Sequence, residues 1–114
     1  MSLTIDQRKS EAVTVVDLSG KIVLGEPGSR LLETVKQLVG QGERKIVCNL
    51  EGVSYMDSSG LGTLVNCCNA VTERQGRFKL MKVHGNIRDL LRITKLLTFF
   101  EIFEDETAAI QSFN

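Results

Sequence analysis

The sequence of 114 residues has no tryptophan and only one histidine, one tyrosine and one proline. Its 14 basic residues balance its 14 acidic residues, and a neutral chain has no long-range attraction to nucleic acid or to an anionic membrane. No segment approaches the roughly 20 continuous apolar residues of a membrane-spanning helix. Residues 1–6 also lack the charged and apolar stretches of a signal peptide. We therefore expect a cytoplasmic protein with no direct nucleic-acid or membrane contact.

The three cysteines, Cys48, Cys67 and Cys68, do not form the pattern of a disulfide framework, because their number is odd and two of them are adjacent. Adjacent residues on a helix point about 100° apart, so Cys67 and Cys68 are poorly placed to bind one metal ion. His84 is the single histidine, which leaves no histidine pair for a metal. We expect no metal and no cofactor, and thiols that serve packing in a reducing compartment.

The length permits one domain with one hydrophobic core, and we expect residues 1–114 to form it. Two strands rich in β-branched residues open the chain, and the short connection near Ser10 and Glu11 predicts an antiparallel hairpin. Helices and strands then alternate. The expected segments are strands around 3–8 and 12–19, a helix after the turn at 25–29 that Gly40 ends, a strand at 45–50, a helix to about Gln75, a strand at 77–83, a helix capped by Asn86, a strand at 99–103, and a last helix capped by Asp105.

The element order ββαβαβαβα predicts the fold class. Strands that alternate with helices pair in parallel through right-handed crossovers, whereas the opening hairpin adds an antiparallel pair. We therefore expect a single α/β domain with a mixed, mostly parallel sheet, an N-terminal antiparallel hairpin and helices packed on the sheet.

The segment Tyr55-Met56-Asp57-Ser58-Ser59-Gly60-Leu61-Gly62, called here the signature run, is the most informative part of the chain. It follows a strand with the composition of a buried one and precedes an amphipathic helix. Two hydroxyls therefore lie at a helix N-terminus, where the first N–H groups lack partners and the helix dipole is positive. Such a position accepts an anion, including a phosphate attached to a hydroxyl.

Each polar residue of the signature run has an expected role. We expect Ser59, or alternatively Ser58, to cap the helix. Asp57 is close enough to Ser58 to orient its hydroxyl or to help a kinase accept its proton. Gly60 and Gly62 leave room for the backbone of a partner or the phosphates of a nucleotide to approach. The same residues are also consistent with a plain helix start that has no signalling role.

The signature run resembles that of the STAS domain of bacterial anti-sigma factor antagonists, and the element order agrees with that family over nearly the whole chain. The resemblance implies that Ser58 is the phosphoacceptor. It implies that the unphosphorylated chain binds an anti-sigma factor, itself a serine kinase, and so releases the sigma factor. Phosphorylation by that kinase ends the binding, and a metal-dependent phosphatase of the PP2C type restores it. The chain is then a binding module, not an enzyme. The implied partner-binding residues are Asp57, Ser59, Gly60, Leu61 and Gly62.

One loop departs from the family pattern. Many members have an acidic residue soon after the glycine that closes the second strand, but here Gly20 is followed by Lys21-Ile22-Val23-Leu24, and the first acid is Glu26. We expect this loop to lie beside the signature run, at the same end of the sheet. The change predicts a more apolar surface there, or a different kinase.

Two other functions compete with the phosphorylation switch. The chain could be a constitutive STAS subunit of a larger assembly, either a stress-signalling complex or a lipid-transport ABC system. It could also be a small hydrolase that uses Ser58 with His84, although no oxyanion hole or triad partner is recognisable. His84 follows the strand at 77–83, so it is either a neighbour of Ser58 at that end of the sheet or an ordinary loop residue.

Overall fold

The computed structural model describes residues 3–114. Its elements are β1 (Leu3–Ser10), β2 (Val13–Ile22), α1 (Glu26–Gly40), β3 (Lys45–Met56), α2 (Ser58–Thr72), β4 (Arg77–Met81), α3 (Gly85–Ile93), β5 (Glu101–Phe103) and α4 (Glu106–Gln111). Among the helices formed by these residues, none has the length and apolar character needed to cross a membrane.

The five strands form one sheet in the order β1-β2-β3-β4-β5. β1 and β2 pair in antiparallel fashion, and the other three pairs are parallel. The predicted fold class, a single α/β domain with a mixed sheet and an N-terminal hairpin, is therefore confirmed. Because the strands that precede α1, α2 and α3 run in parallel, the loops at their carboxyl ends meet at one end of the sheet.

Both faces of the sheet are covered, but unequally. On one face, α1, α2 and α3 pack on a large core that includes Val16, Cys48 and Leu80. On the other face, the short α4 covers a smaller core, formed by Val13, Val15, Val47, Met81, Ala109, Ile110 and Phe113. Successive strand residues such as Val15 and Val16 thus serve opposite faces, as the two-residue period of a strand requires.

The three cysteines are buried, and their thiols are free. Burial raises the pKa of the Cys48 thiol well above its usual range and raises that of Cys67 to about 12. Both residues belong to the large core beneath α2. A thiol that stays protonated is a poor nucleophile and a poor metal ligand, so this arrangement agrees with the packing role expected from the sequence.

Several predicted boundaries are wrong. β3 continues six residues past the predicted end, to Met56, because parallel pairing with β2 persists as far as the pair Ile22 and Met56. The second helix ends at Thr72, before Gln75. The last strand begins at Glu101, not at Phe99. Phe100 lies in the core, whereas Phe99 is 46% exposed.

The tight turn between β1 and β2 is strained. Its two residues, Glu11 and Ala12, have φ values of 51° and 71°, and a non-glycine residue in the left-handed region costs roughly 1–2 kcal/mol. Turns of this shape favour Asn-Gly.

The double substitution Glu11→Asn with Ala12→Gly should therefore stabilise the domain by about 1–2 kcal/mol. The measurement is the midpoint of urea unfolding at an unchanged slope. A midpoint equal to that of the wild type would mean that the turn has a different shape.

Candidate functional site

The signature run lies at the junction of β3 and α2, and Asp57 is the residue between them. Asp57 has extended backbone angles and is the N-cap of α2. Its Oδ1 accepts hydrogen bonds from the backbone N–H of Gly60 at 2.9 Å and from the hydroxyl of Ser59 at 2.6 Å. The prediction that Ser59 or Ser58 caps the helix is therefore wrong. Ser58 and Ser59 lie within the first helical turn, whereas Asp57 precedes it.

Hydrogen bonds hold Asp57 in its charged form. The pKa of its carboxyl group lies below the usual range, mainly because of the Ser59 hydroxyl and then because of the backbone N–H of Gly60. Burial opposes these two hydrogen bonds, and the backbone N–H of Leu24 lowers the pKa by a smaller amount. The second oxygen, Oδ2, accepts a bond from the N–H of Leu24 at 3.3 Å. Asp57 is thus a fixed negative charge that joins the signature run to the loop after β2.

Ser58 is the first residue of α2 and is exposed. Within the described part of the chain, residues 3–114, its hydroxyl has no hydrogen-bond partner. The predicted orienting contact from Asp57 goes instead to Ser59, which is half-buried. Of the two serines, Ser59 therefore supports the helix start, and Ser58 presents a hydroxyl that is free to react at a helix N-terminus.

The three residues that follow differ in accessibility. Gly60 is buried against β2, where an added Cβ atom would lie 2.1 Å from the carbonyl oxygen of Ile22. The side chain of Leu61 is 4% exposed and belongs to the large core. Gly62 is exposed, and no atom lies within 4 Å of where its Cβ would be. The space beside Gly60 is therefore filled by β2 of the same chain, whereas the surface at Gly62 is open.

The loop after β2 lies beside the signature run, as predicted. The N–H of Asp57 donates to the carbonyl of Ile22 at 3.4 Å, and the Leu24 N–H donates to Asp57. The side chain of Leu24 is 80% exposed. The apolar substitution in this loop therefore places an exposed aliphatic side chain next to the site, as the sequence indicated.

A shallow groove of about 350 Å³ separates this loop from α2. Its lining comes from the loop, from the first turn of α1 and from the start of α2. The residues are Val23, Leu24, Gly25, Gly28, Ser29, Ser59 and Thr63. The groove thus begins beside Ser59, one residue after the exposed hydroxyl of Ser58.

Asn86 supports the site in a way that the sequence did not indicate. It was expected to cap α3, but α3 begins at Gly85, and His84 is its N-cap residue. The side chain of Asn86 instead donates to the carbonyl of Met56 at 2.8 Å and accepts from the Met56 N–H at 3.3 Å. This two-point contact fixes the last residue of β3, directly before Asp57. No local sequence pattern indicates this contact, because the two residues are 30 positions apart.

The ring of His84 is engaged with the backbone of β3. Its Nε2 lies 3.2 Å from the carbonyl oxygen of Leu50 and 3.0 Å from that of Glu51. This nitrogen is therefore not available to Ser58, and the arrangement favours the interpretation of His84 as an ordinary loop residue. Among residues 3–114, no group of three histidine, cysteine or acidic side chains could hold a metal ion.

Comparison with known proteins places this chain in a family. The model of the STAS domain matches residues 4–109. The anti-sigma-B factor antagonist of Bacillus subtilis is 31% identical over 112 residues, which are 97% of this chain and 100% of that protein. A crystal structure of an anti-sigma factor antagonist from Mycobacterium paratuberculosis has a TM-score of 0.81 at 21% identity, covering 97% of this chain and 93% of that one. The Bacillus cell fate determinant SpoIIAA in its phosphorylated form has a TM-score of 0.75 at 20% identity, covering 97% and 100%. The chain belongs to the STAS domain family.

Proposed function

We propose that this protein is an anti-sigma factor antagonist whose partner binding is controlled by phosphorylation of Ser58. In the unphosphorylated form it binds an anti-sigma factor that is a serine kinase, and the sigma factor is released. Transfer of a phosphoryl group from ATP to the Ser58 oxygen ends the complex, and hydrolysis by a PP2C-type phosphatase restores the hydroxyl. The names of its relatives support the function of an anti-sigma factor antagonist. The geometry of the signature run supports control by phosphorylation of Ser58.

The free hydroxyl of Ser58 is the observation that carries the proposal. Ser59 and Asp57 are both occupied by hydrogen bonds inside the run, whereas Ser58 is exposed at the first position of α2. A kinase could therefore reach the Ser58 oxygen without breaking an internal contact. A phosphate at this position lies at the positive end of the helix dipole, so the fold should tolerate it.

The surroundings of Ser58 explain how a phosphate would end binding. Leu24 is 80% exposed and Tyr55 is 46% exposed. Leu24 is tied to the site by its bond to Asp57, and Tyr55 precedes Ser58 by three residues. A partner that covers these side chains would have to desolvate a phosphate of roughly −1.5 to −2 charges. The fixed carboxylate of Asp57 adds to the negative charge that such a partner would meet.

Substitution of Ser58 tests the switch directly. Purified wild type, Ser58→Asn and Ser58→Asp serve as bait in a lysate of the source organism, with mass spectrometry of the bound proteins. We expect wild type and Ser58→Asn to capture an ATP-binding serine kinase, and Ser58→Asp to bind it about 100-fold more weakly, because only the aspartate adds charge to the interface.

Phosphorylation is tested separately with the same lysate and ATP. Wild type and Ser59→Ala should gain one phosphate, and Ser58→Ala should gain none. In the capture experiment, equal binding of one partner, for example a transporter ATPase, by wild type, Ser58→Asn and Ser58→Asp would contradict the switch. It would favour a constitutive subunit of a larger assembly.

A further inference from the structure

β1 lies at one edge of the sheet, and half of its backbone groups point away from β2. The turn that joins the strands has two residues, so its closing pair, Ser10 and Val13, exchanges hydrogen bonds. Along an antiparallel pair such residues alternate. The even-numbered residues of β1 therefore bond to β2, and the odd-numbered residues direct their N–H and C=O groups outward. The carbonyl of Leu3 agrees with this, because it accepts a bond from Arg30 at 2.7 Å.

The outward groups form a short unpaired row. Leu3 already has Arg30 as its partner. Among residues 3–114, no hydrogen bond reaches the outward groups of Ile5, Gln7 or Lys9. A row of three such residues can bond to an identical row from a second copy when the two strands run antiparallel with Gln7 opposite Gln7. Each residue then exchanges two backbone hydrogen bonds, and Ile5 faces Lys9 of the other copy.

The charges of β1 favour the same register. With Gln7 at the centre, Asp6 of each copy lies opposite Arg8 of the other. Asp6 also lies directly opposite Asp17 within its own chain, which is an unfavourable pairing of like charges. Within the described residues Asp6 has no ion pair, whereas Asp17 is paired with Arg8 at 2.7 Å. A second copy would supply the missing cation.

Arg8 retains the capacity for this contact. Its Nη1 carries two N–H groups, and within the described residues one of them donates, to Glu106 at 2.8 Å. The second N–H remains for Asp6 of the other copy.

The two neighbouring registers of the strand pair are less favourable. Centring on Asp6 places the two Asp6 carboxylates opposite each other and requires the carbonyl of Leu3, which Arg30 occupies. Centring on Arg8 places two guanidinium groups opposite each other and leaves fewer backbone bonds.

We propose that two copies of this chain associate through their β1 strands, antiparallel and centred on Gln7, to form one continuous sheet with five strands from each copy. On the helix side of this sheet the alkyl stem of Lys9 covers the half-buried Ile5 of the other copy. The association uses the edge of the sheet and involves no residue of the signature run. The site at Ser58 is therefore duplicated in the dimer.

Sedimentation equilibrium over a concentration series up to about 1 mM, the weak end of specific association, tests the association. Wild type should approach a mass twice the 12.6 kDa of the single chain. Asp6→Lys should weaken association by at least about tenfold, because it places a lysine opposite Arg8. Glu73→Lys, the same change of charge at an exposed residue beyond α2, should associate like the wild type. A monomeric wild type, or equal association of Asp6→Lys and wild type, would overturn the proposal.

Cysteine cross-linking tests the register. In the proposed dimer the Cα atoms of the two Gln7 residues are about 5.5 Å apart, which is within the range for a disulfide. Oxidation of Gln7→Cys by diamide, which is reduced as the two thiols join, should therefore give a covalent dimer. Lys9→Cys should not, because its two copies are separated by four residues, about 13 Å along the strand. Wild type, with buried cysteines, measures the background. Cross-linking of Lys9→Cys as fast as Gln7→Cys would contradict the register.

Discussion

Substitution of Gly60 by alanine should destabilise the domain by about 3 kcal/mol or more. The added Cβ would lie 2.1 Å from the carbonyl oxygen of Ile22 and 2.9 Å from Cγ of Met56. The oxygen cannot move away easily, because Ile22 is paired with Met56 in the sheet and accepts a hydrogen bond from Asp57. The start of α2 would have to move outward, and the bonds that Asp57 makes to Gly60 and Leu24 would be strained.

Gly62 provides the matched control for this prediction. It is two residues further along the same helix, is exposed, and has no atom within 4 Å of its Cβ position. Gly62→Ala should therefore stabilise the domain by about 0.5–1 kcal/mol, the ordinary difference between glycine and alanine in a helix. Urea unfolding of the two variants should move the midpoint in opposite directions. A Gly60→Ala midpoint equal to that of the wild type would contradict the close packing of α2 on β2.

The fold was predictable because its signals are periodic and local. The alternation of strands with amphipathic helices requires parallel pairing, and the short connection near Ser10 requires a hairpin. The position of the signature run at a strand-to-helix junction follows from the same pattern. The proximity of Ile22 and Leu24 to Asp57 was also predictable, since loops at the carboxyl ends of parallel strands meet at one end of the sheet.

The finer geometry of the site was not predictable, because it depends on choices between chemically similar groups. Asp57, Ser58 and Ser59 are all good capping residues. The register of β3 against β2 decides among them, since pairing that persists to Met56 makes Asp57 the first residue outside the strand. The contact of Asn86 with Met56 spans 30 positions and has no sequence signal. Only the assembled sheet brings it to the site.

On the other face of the sheet, the packing of α4 depends on a buried lysine, Lys79. The side chain of Lys79 is 2% exposed, and its Nζ donates to the carbonyl and the hydroxyl of Ser112 at 3.1 and 3.0 Å. The ring centroid of Phe113 is 4.5 Å from the same nitrogen. The ion pair with Glu101, at 3.4 Å, contributes little because that carboxylate is 65% exposed. Lys79 therefore attaches the C-terminal end of α4 to the sheet, both through its charge and by filling space.

Lys79→Ala should lower the free energy of unfolding by about 3 kcal/mol, because it leaves a cavity beneath Phe113 and a Ser112 carbonyl without its donor. Lys79→Met should cost about half as much, since it keeps the stem and a favourable contact with the aromatic rings but loses the hydrogen bonds. Lys82→Ala, which removes a half-exposed lysine paired with the exposed Glu51, should change stability by less than about 1 kcal/mol.

Urea unfolding measures the three effects, and hydrogen exchange shows where they act. Faster exchange at Ala109 and Ile110 than at the β3 amides in Lys79→Ala would place the loss at α4. An equal loss in Lys79→Ala and Lys79→Met would mean that the charge alone holds this helix. A wild-type midpoint in Lys79→Ala would exclude the attachment altogether. The smaller core, which includes Met81 and Phe113 and lies next to Lys79, would then be stable without this residue.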